Sequence, residues 1–121
     1  MLREYEFTVI TRGDLSETDN AKVLTDYEQY MTKDGGEIIK KDEWGTKRLS
    51  YPIKKFFRGY YTIYDYVGQS EHLAEMERRM RIDDNVLRYM AVRLGENVDV
   101  EERRAELAKK EAAEAERKQR K

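Results

Sequence analysis

The chain contains no cysteine, which excludes disulfide frameworks and thiolate metal sites and fits a reducing compartment. It has a single histidine, His72, with no second metal-ligating side chain of that type to join it, so His72 reads as a surface helix residue. No apolar run approaches the roughly 20 residues needed to span a bilayer. The strand pattern begins at once with Met1-Leu2-Arg3-Glu4-Tyr5, so no signal or transit peptide is expected, and the protein reads as cytoplasmic without a membrane partner. Apolar residues are also scarce, at 39% against 40% charged in 121 residues. That balance predicts one domain with a modest core and a heavily solvated surface, a charged tail, or both.

Catalytic signatures are missing too. Asp26/Glu28 and Glu75/Glu77 sit two apart on predicted helices and point in different directions. Asp42-Glu43 and Asp83-Asp84 flank turns or strand ends. Gly35-Gly36 follows a helix instead of opening one, so it is no phosphate loop. The expectation is a protein that is not an enzyme, with no cofactor, no metal and no small-molecule substrate.

What is present is charge, unevenly spread. The net charge is −1, yet Asp14–Glu37 is strongly acidic, whereas Lys40–Arg58 and Arg78–Arg93 are basic. A nearly neutral molecule built this way can still offer a basic face to phosphate.

The element order follows from periodicity. Tyr5, Phe7 and Val9 alternate along a first strand. Ser16 is placed to cap a helix, with Asp19 three residues on, and Val23, Leu24, Tyr27, Tyr30 and Met31 form its apolar stripe. Gly35-Gly36 stops that helix. A long second strand runs from about Glu37 to Lys54, with a bulge or bend at Gly45 and Leu49, Tyr51 and Ile53 directed to the core. Pro52, the one proline, cannot donate a ladder bond, so this strand belongs at an edge or bends there. Lys55–Gly59 turns into a third strand, Tyr60–Val67. Gly68-Gln69 then breaks the pattern, and Ser70 is expected to cap a second helix with Leu73, Met76 and Met80 inward. Asp83-Asp84-Asn85 turns into a fourth strand, Val86–Leu94.

This order, βαββαβ, predicts an α+β, ferredoxin-like split βαβ domain: a four-stranded antiparallel sheet with two helices on one face and the other face open. The domain is expected to cover residues 1–95. Residues 96–121 form a charged, helical or disordered tail with zero net charge, in which Leu107 is nearly the only large apolar residue. Asp99 with Glu102 could cap it, and Glu106/Lys110, Glu114/Lys118 and Glu116/Arg120 are favourable helical pairs.

The most specific stretch is Trp44-Gly45-Thr46-Lys47-Arg48-Leu49-Ser50-Tyr51-Pro52-Ile53-Lys54-Lys55. It alternates cations with apolar residues, and like charges this close favour a polyanionic partner over a free surface. The stretch resembles the bacterial small-subunit ribosomal protein six family, whose hallmark is Gly-x-basic-basic-Leu-Ala/Ser-Tyr-Pro-Ile. Tyr5-Glu6, Gly35-Gly36, Gly59-Tyr60-Tyr61 and Arg81-Ile82-Asp83-Asp84-Asn85-Val86-Leu87-Arg88-Tyr89 match as well, so the resemblance covers roughly residues 2–94. It implies a place in the platform of the small ribosomal subunit, binding to the central domain of the small-subunit ribosomal RNA, and a complex with small-subunit ribosomal protein eighteen during assembly.

On charge and placement, Lys47, Arg48, Lys54, Lys55 and Arg58 are the expected phosphate contacts, with Arg79, Arg81 and Arg88 as a second group. Two other readings have the same element order. An RNA-recognition-motif domain would stack single-stranded bases on Tyr60, Tyr64 and Tyr66, although Tyr61, Thr62 and Asp65 depart from its third-strand pattern. A ferredoxin-like ligand-binding regulatory module would dimerise through its sheet but gives no reason for a basic hairpin.

Overall fold

In the computed structural model, residues 2–96 and 100–119 are described. The capping box from Asp99 and the ion pairs ending on Lys118 and Arg120 lie outside what is described, which for residues 117–119 is the backbone alone. The elements are β1 (Leu2–Arg12), α1 (Glu17–Thr32), β2 (Glu37–Ile53), β3 (Phe56–Gln69), α2 (Ser70–Ile82), β4 (Val86–Glu96) and α3 (Val100–Gln119). The four strands form one antiparallel sheet in the order β2-β3-β1-β4, which is the ferredoxin-like arrangement. β1 is central and β2, with its proline, lies at an edge, where a missing N–H costs least.

Pairing sets the two faces. Tyr5, Phe7 and Val9 of β1 sit opposite Tyr66, Tyr64 and Thr62 of β3, and all six turn toward the helices. There they meet Leu24, Tyr27 and Met31 of α1 and Leu73, Met76 and Met80 of α2 in the main core. Both helices thus cover one face. The alternate residues, Glu4, Glu6, Thr8 and Ile10 on β1 with Met90 and Val92 on β4, belong to the open face. Ser16 caps α1, its hydroxyl accepting from the Asp19 amide at 3.1 Å. Gly35, at φ +84°, supplies the left-handed step before β2.

Several local expectations need correction. β3 starts at Phe56, not Tyr60, because Lys54 and Lys55 alone make the turn, with Ile53 paired to Phe56. It also runs through Gly68 to Gln69, which occupies the cap position of α2 without a side-chain cap bond, so Ser70 is already helical. The α2–β4 link closes as expected: the Asp83 carboxylate accepts from the Asn85 amide at 2.9 Å. Leu49 is buried, but Tyr51 is 56% exposed and Ile53 only half-buried. Pairing between β2 and β3 is interrupted from Arg48 to Ile53, so strict alternation does not carry through Pro52.

α3 is anchored by charge. Arg103 Nε lies 2.8 Å from Glu4 Oε1, and its Nη2 lies 3.5 Å from Asp65 Oδ2, while Arg104 pairs with Glu37. Glu4 is 6% exposed, and one oxygen each of Glu4 and Asp65 is buried without a conventional partner. Burial first, and Glu4 second, push the Asp65 carboxyl up to about 7, against the opposing pull of Arg103.

Leu49→Ala should cost about 2–5 kcal/mol in denaturant unfolding. Tyr51→Ala should change stability by less than about 0.5 kcal/mol, as at other exposed sites. Asp65 binds its proton more tightly in the folded state, so its contribution is favourable at low pH and is lost as pH rises from the ordinary carboxylate range to about 7. Asp65→Asn mimics the protonated acid and should raise the melting temperature by several degrees near pH ~8 and hardly at all near pH ~4. Equal shifts at both pH values would show that no proton is held there.

Candidate nucleic-acid interface

The turn between β2 and β3 is the tightest a hairpin allows. Lys54 and Lys55 have φ of 50° and 71°, a left-handed pair of the type I′ kind usually given to Asn-Gly. For residues with a Cβ such conformations cost roughly 1–2 kcal/mol each. Lys54 recovers part of this, since its ammonium donates to the Val86 carbonyl at 2.9 Å and reaches the Asp83 carbonyl at 3.5 Å. The tip of the hairpin is thereby tied to the start of β4.

Beneath the tip lies a second apolar cluster, Ile10, Leu49 and Leu87, with Ile53, Phe56 and Tyr61 packed against it. It holds up a ring of cations. Arg48 is the register partner of Arg58, so two guanidinium-bearing residues face each other across the ladder. That pairing is unfavourable by a few tenths to about 1 kcal/mol without an anion. The Lys47 ammonium stands 4.7 Å from the centre of the Trp44 ring, and the Arg88 guanidinium 6.0 Å from that of Tyr51.

Connectivity brings the two basic stretches to one end of the sheet. The hairpin tip, the last residues of β1 and the first of β4 are neighbours: Arg12 pairs with Gly59, and Thr11 with Val86. Lys47, Arg48, Lys55, Arg58 and Arg88 are exposed at or near this end. Lys54 is exposed as a residue, but its ammonium already serves the β4 link. Arg79 and Arg81 stand on the last turn of α2, which leads into that link. Arg81 Nε donates to the Tyr89 hydroxyl at 3.4 Å, and this contact raises its pKa. Arg79 lies 3.9 Å from Glu75, too far for a strong pair.

Four residues extend the surface beyond those expected. Trp44 is 50% exposed, Tyr51 56% and Phe57 66%, so flat apolar rings stand among the cations. Arg12 reaches the same end, its guanidinium 4.6 Å from the centre of the Phe56 ring and 2.8 Å from Asp14. Phe57 was accessible to alternation, since Phe56 inward requires Phe57 outward once the strand start is correct. Arg12 gave no signal, being separated in sequence from both basic stretches.

The base-stacking reading does not fit this geometry. Tyr64 and Tyr66 are 1% exposed beneath the helices, and the Tyr64 hydroxyl donates to Glu28 at 2.7 Å, so these rings cannot stack bases as an RNA-recognition motif would require. His72 lies 2.6 Å from Asp34, partly covered. Among the described residues no cluster of His, Asp or Glu could hold a metal ion.

Comparison with known proteins decides among the folds that share this topology. The family model for ribosomal protein S6 matches residues 4–93. The chain belongs to the ribosomal protein S6 family. The small ribosomal subunit protein bS6 of Synechocystis is 32% identical over 93% of this chain and 99% of its own length. That of Moorella thermoacetica is 35% identical over 78% and 97%. That of Desulfatibacillum aliphaticivorans is 36% identical over 92%, of which the chain spans only 60%. A crystal structure of the 30S ribosomal protein S6 of Thermotoga maritima superposes with a TM-score of 0.70 at 23% identity, covering 95% of this chain and 99% of that one. The S6 fold thus accounts for the split βαβ sheet. Among the described residues of this S6-family chain no helix is long and apolar enough to cross a membrane.

The strained tip yields a test. Lys55→Gly removes the Cβ conflict at φ 71° and should raise stability by about 1 kcal/mol, read from chemical denaturation. A loss of stability would show that the Lys55 side chain holds the turn together.

Proposed function

We propose that this protein is a non-catalytic structural component of the small ribosomal subunit. Its basic end binds the central domain of the small-subunit ribosomal RNA, together with small-subunit ribosomal protein eighteen, during platform assembly in the cytoplasm. The observation that carries this reading is the gathering of Lys47, Arg48, Lys55, Arg58 and Arg88 with exposed Trp44, Tyr51 and Phe57 at one end of the sheet. Cations position a phosphate backbone, and flat rings can stack on unpaired bases or fill a groove. Family membership, and relatives that are small-subunit ribosomal proteins, support the ribosomal setting.

Lys54 takes a different part from the one its charge suggests. Its ammonium holds the hairpin against β4, so it shapes the surface and lends at most a share of its charge to phosphate. Arg79 and Arg81 flank the surface on α2 as a second, weaker group. The domain that carries all this is residues 1–95, and the segment 96–121 is an appendage to it.

Arg48, Lys55 and Arg58 are exposed and lack structural duties in the core, so replacing all three by alanine should leave folding intact. RNA binding should weaken, and the slope of log affinity against log salt should become shallower by about 2, at roughly 0.7 per lost contact. A salt titration on a central-domain fragment, with the partner protein present, measures both. Unchanged affinity and slope would remove this surface from the RNA interface.

A further inference from the structure

At the opposite end of the sheet the polarity reverses. Glu4 sits opposite Val67, and Glu6 opposite Asp65, so Glu4, Glu6 and Asp65 share the open face. Glu4 is 6% exposed, and its second oxygen, like one of Asp65, has no conventional partner. Into this notch comes one guanidinium, that of Arg103, 2.8 Å from Glu4 and 3.5 Å from Asp65. Arg103 is itself braced by Glu106 at 2.8 Å.

Arg104 adds a more exposed pair with Glu37, and the rest of α3 buries little apolar surface. Between 101 and 116 only Arg103 and Leu107 are half-buried, and the other side chains are exposed. Complete burial of a leucine is worth about 1.5–3 kcal/mol, and half of that does not hold a helix of this length against its own entropy of docking. Charge must supply the remainder. The helix covers the β2–β3 half of the open face, where Lys40 and Asp65 line the crevice beneath Leu107 and Lys110. On the β4 half, Met90 and Val92 are 60% and 45% exposed.

We propose that α3 is a displaceable cover on the open sheet face, latched by Arg103 in the Glu4–Asp65 notch, and that a protein partner using this face displaces it with an arginine of its own. The chemistry of the partner follows from the notch. A partner that covers this face in place of α3 without a cation of its own seals the Glu4 and Asp65 carboxylates from water again, now unpaired, and that is costly. A neutral or acidic segment is therefore a poor occupant. A basic segment can open the cover by exchanging one guanidinium for another, and on doing so it gains a continuous face from β2 to β4. This inference stands apart from the RNA reading, which concerns the other end of the sheet.

The test uses the full chain with Arg103→Gln, and Lys109→Gln as a control of equal charge change. Hydrogen exchange over Glu106–Lys110 and cleavage by a glutamate-specific protease should accelerate at least tenfold in Arg103→Gln and stay unchanged in Lys109→Gln. The melting temperature of the sheet should move by only a few degrees. Wild-type exchange rates in the Arg103 variant, or α3 amides that exchange at unprotected rates in the wild type, would overturn the latch. Loss of the melting transition in Arg103→Gln, restored by Arg103→Lys, would make Arg103 part of the fold and overturn the cover. The partner chemistry is read by calorimetry with a hexa-arginine peptide. It should bind Arg103→Gln several-fold more tightly than wild type, because the notch is empty there, and equal affinities would overturn the exchange.

Discussion

Everything in this molecule hangs on β1 being paired on both sides. Its neighbours β3 and β4 both run antiparallel to it, so the last residues of β1 lie beside the first residues of β3 and of β4. The segments that lead into those two strands, the Lys54-Lys55 turn and the Asp83–Asn85 link, must therefore arrive at the same end of the sheet. The basic stretches before and after them are about thirty residues apart in sequence and become neighbours in space. The first residues of β1 lie correspondingly beside the ends of β3 and β4 and, across β3, the start of β2. That end collects Glu4, Glu37 and Asp65. One pairing pattern thus separates a net charge near zero into two poles.

Holding the basic pole together is unfavourable in its own terms. Two lysines occupy left-handed backbone positions, and Arg48 faces Arg58 across the ladder. Against these stand the buried Ile10, Leu49 and Leu87 beneath the tip and the bonds from Lys54 to carbonyls of the β4 link. Local strain kept in place by surrounding packing is typical of sites selected for contact and not for stability. Asparagine and glycine would make the better turn. The lysines make the better surface for phosphate.

The element order and both helix stripes were readable because they depend on periodicity, which local sequence carries: Tyr5, Phe7 and Val9, or Leu73, Met76 and Met80, could point nowhere else. The cations of the hairpin were readable for the same reason, being adjacent in sequence. Tyr51 was not. Its direction depends on where the β2–β3 ladder lapses around Pro52, and that lapse is a property of two strands together. Arg12 was hidden because nothing near it in sequence is basic except in space. The docking of α3 was hidden for a further reason. A search for apolar stripes looks for helices that bury area, and this one is held by arginines on carboxylates, with Arg103 reaching Glu4 and Asp65, about one hundred and about forty positions away respectively, and Arg104 reaching Glu37.

The separation of charge also has a consequence for encounter. A protein of net charge −1 is not drawn to RNA by its total charge. Beyond a Debye length, about 8 Å at physiological salt, only the arrangement of charge near the contacting surface is felt. An approach with the hairpin foremost brings Arg48, Lys55 and Arg58 toward phosphate, whereas an approach with the notch end foremost brings Glu6 and carboxylates already paired with Arg103 and Arg104. The field therefore orients the molecule before contact and adds little non-specific affinity. In the proposed role on a large RNA, weak attraction with strong orientation is the more useful combination, because wrongly turned encounters dissociate quickly. If the proposed RNA contact is made, neutralising the acidic end would strengthen attraction to any RNA while removing the torque that turns the hairpin toward it.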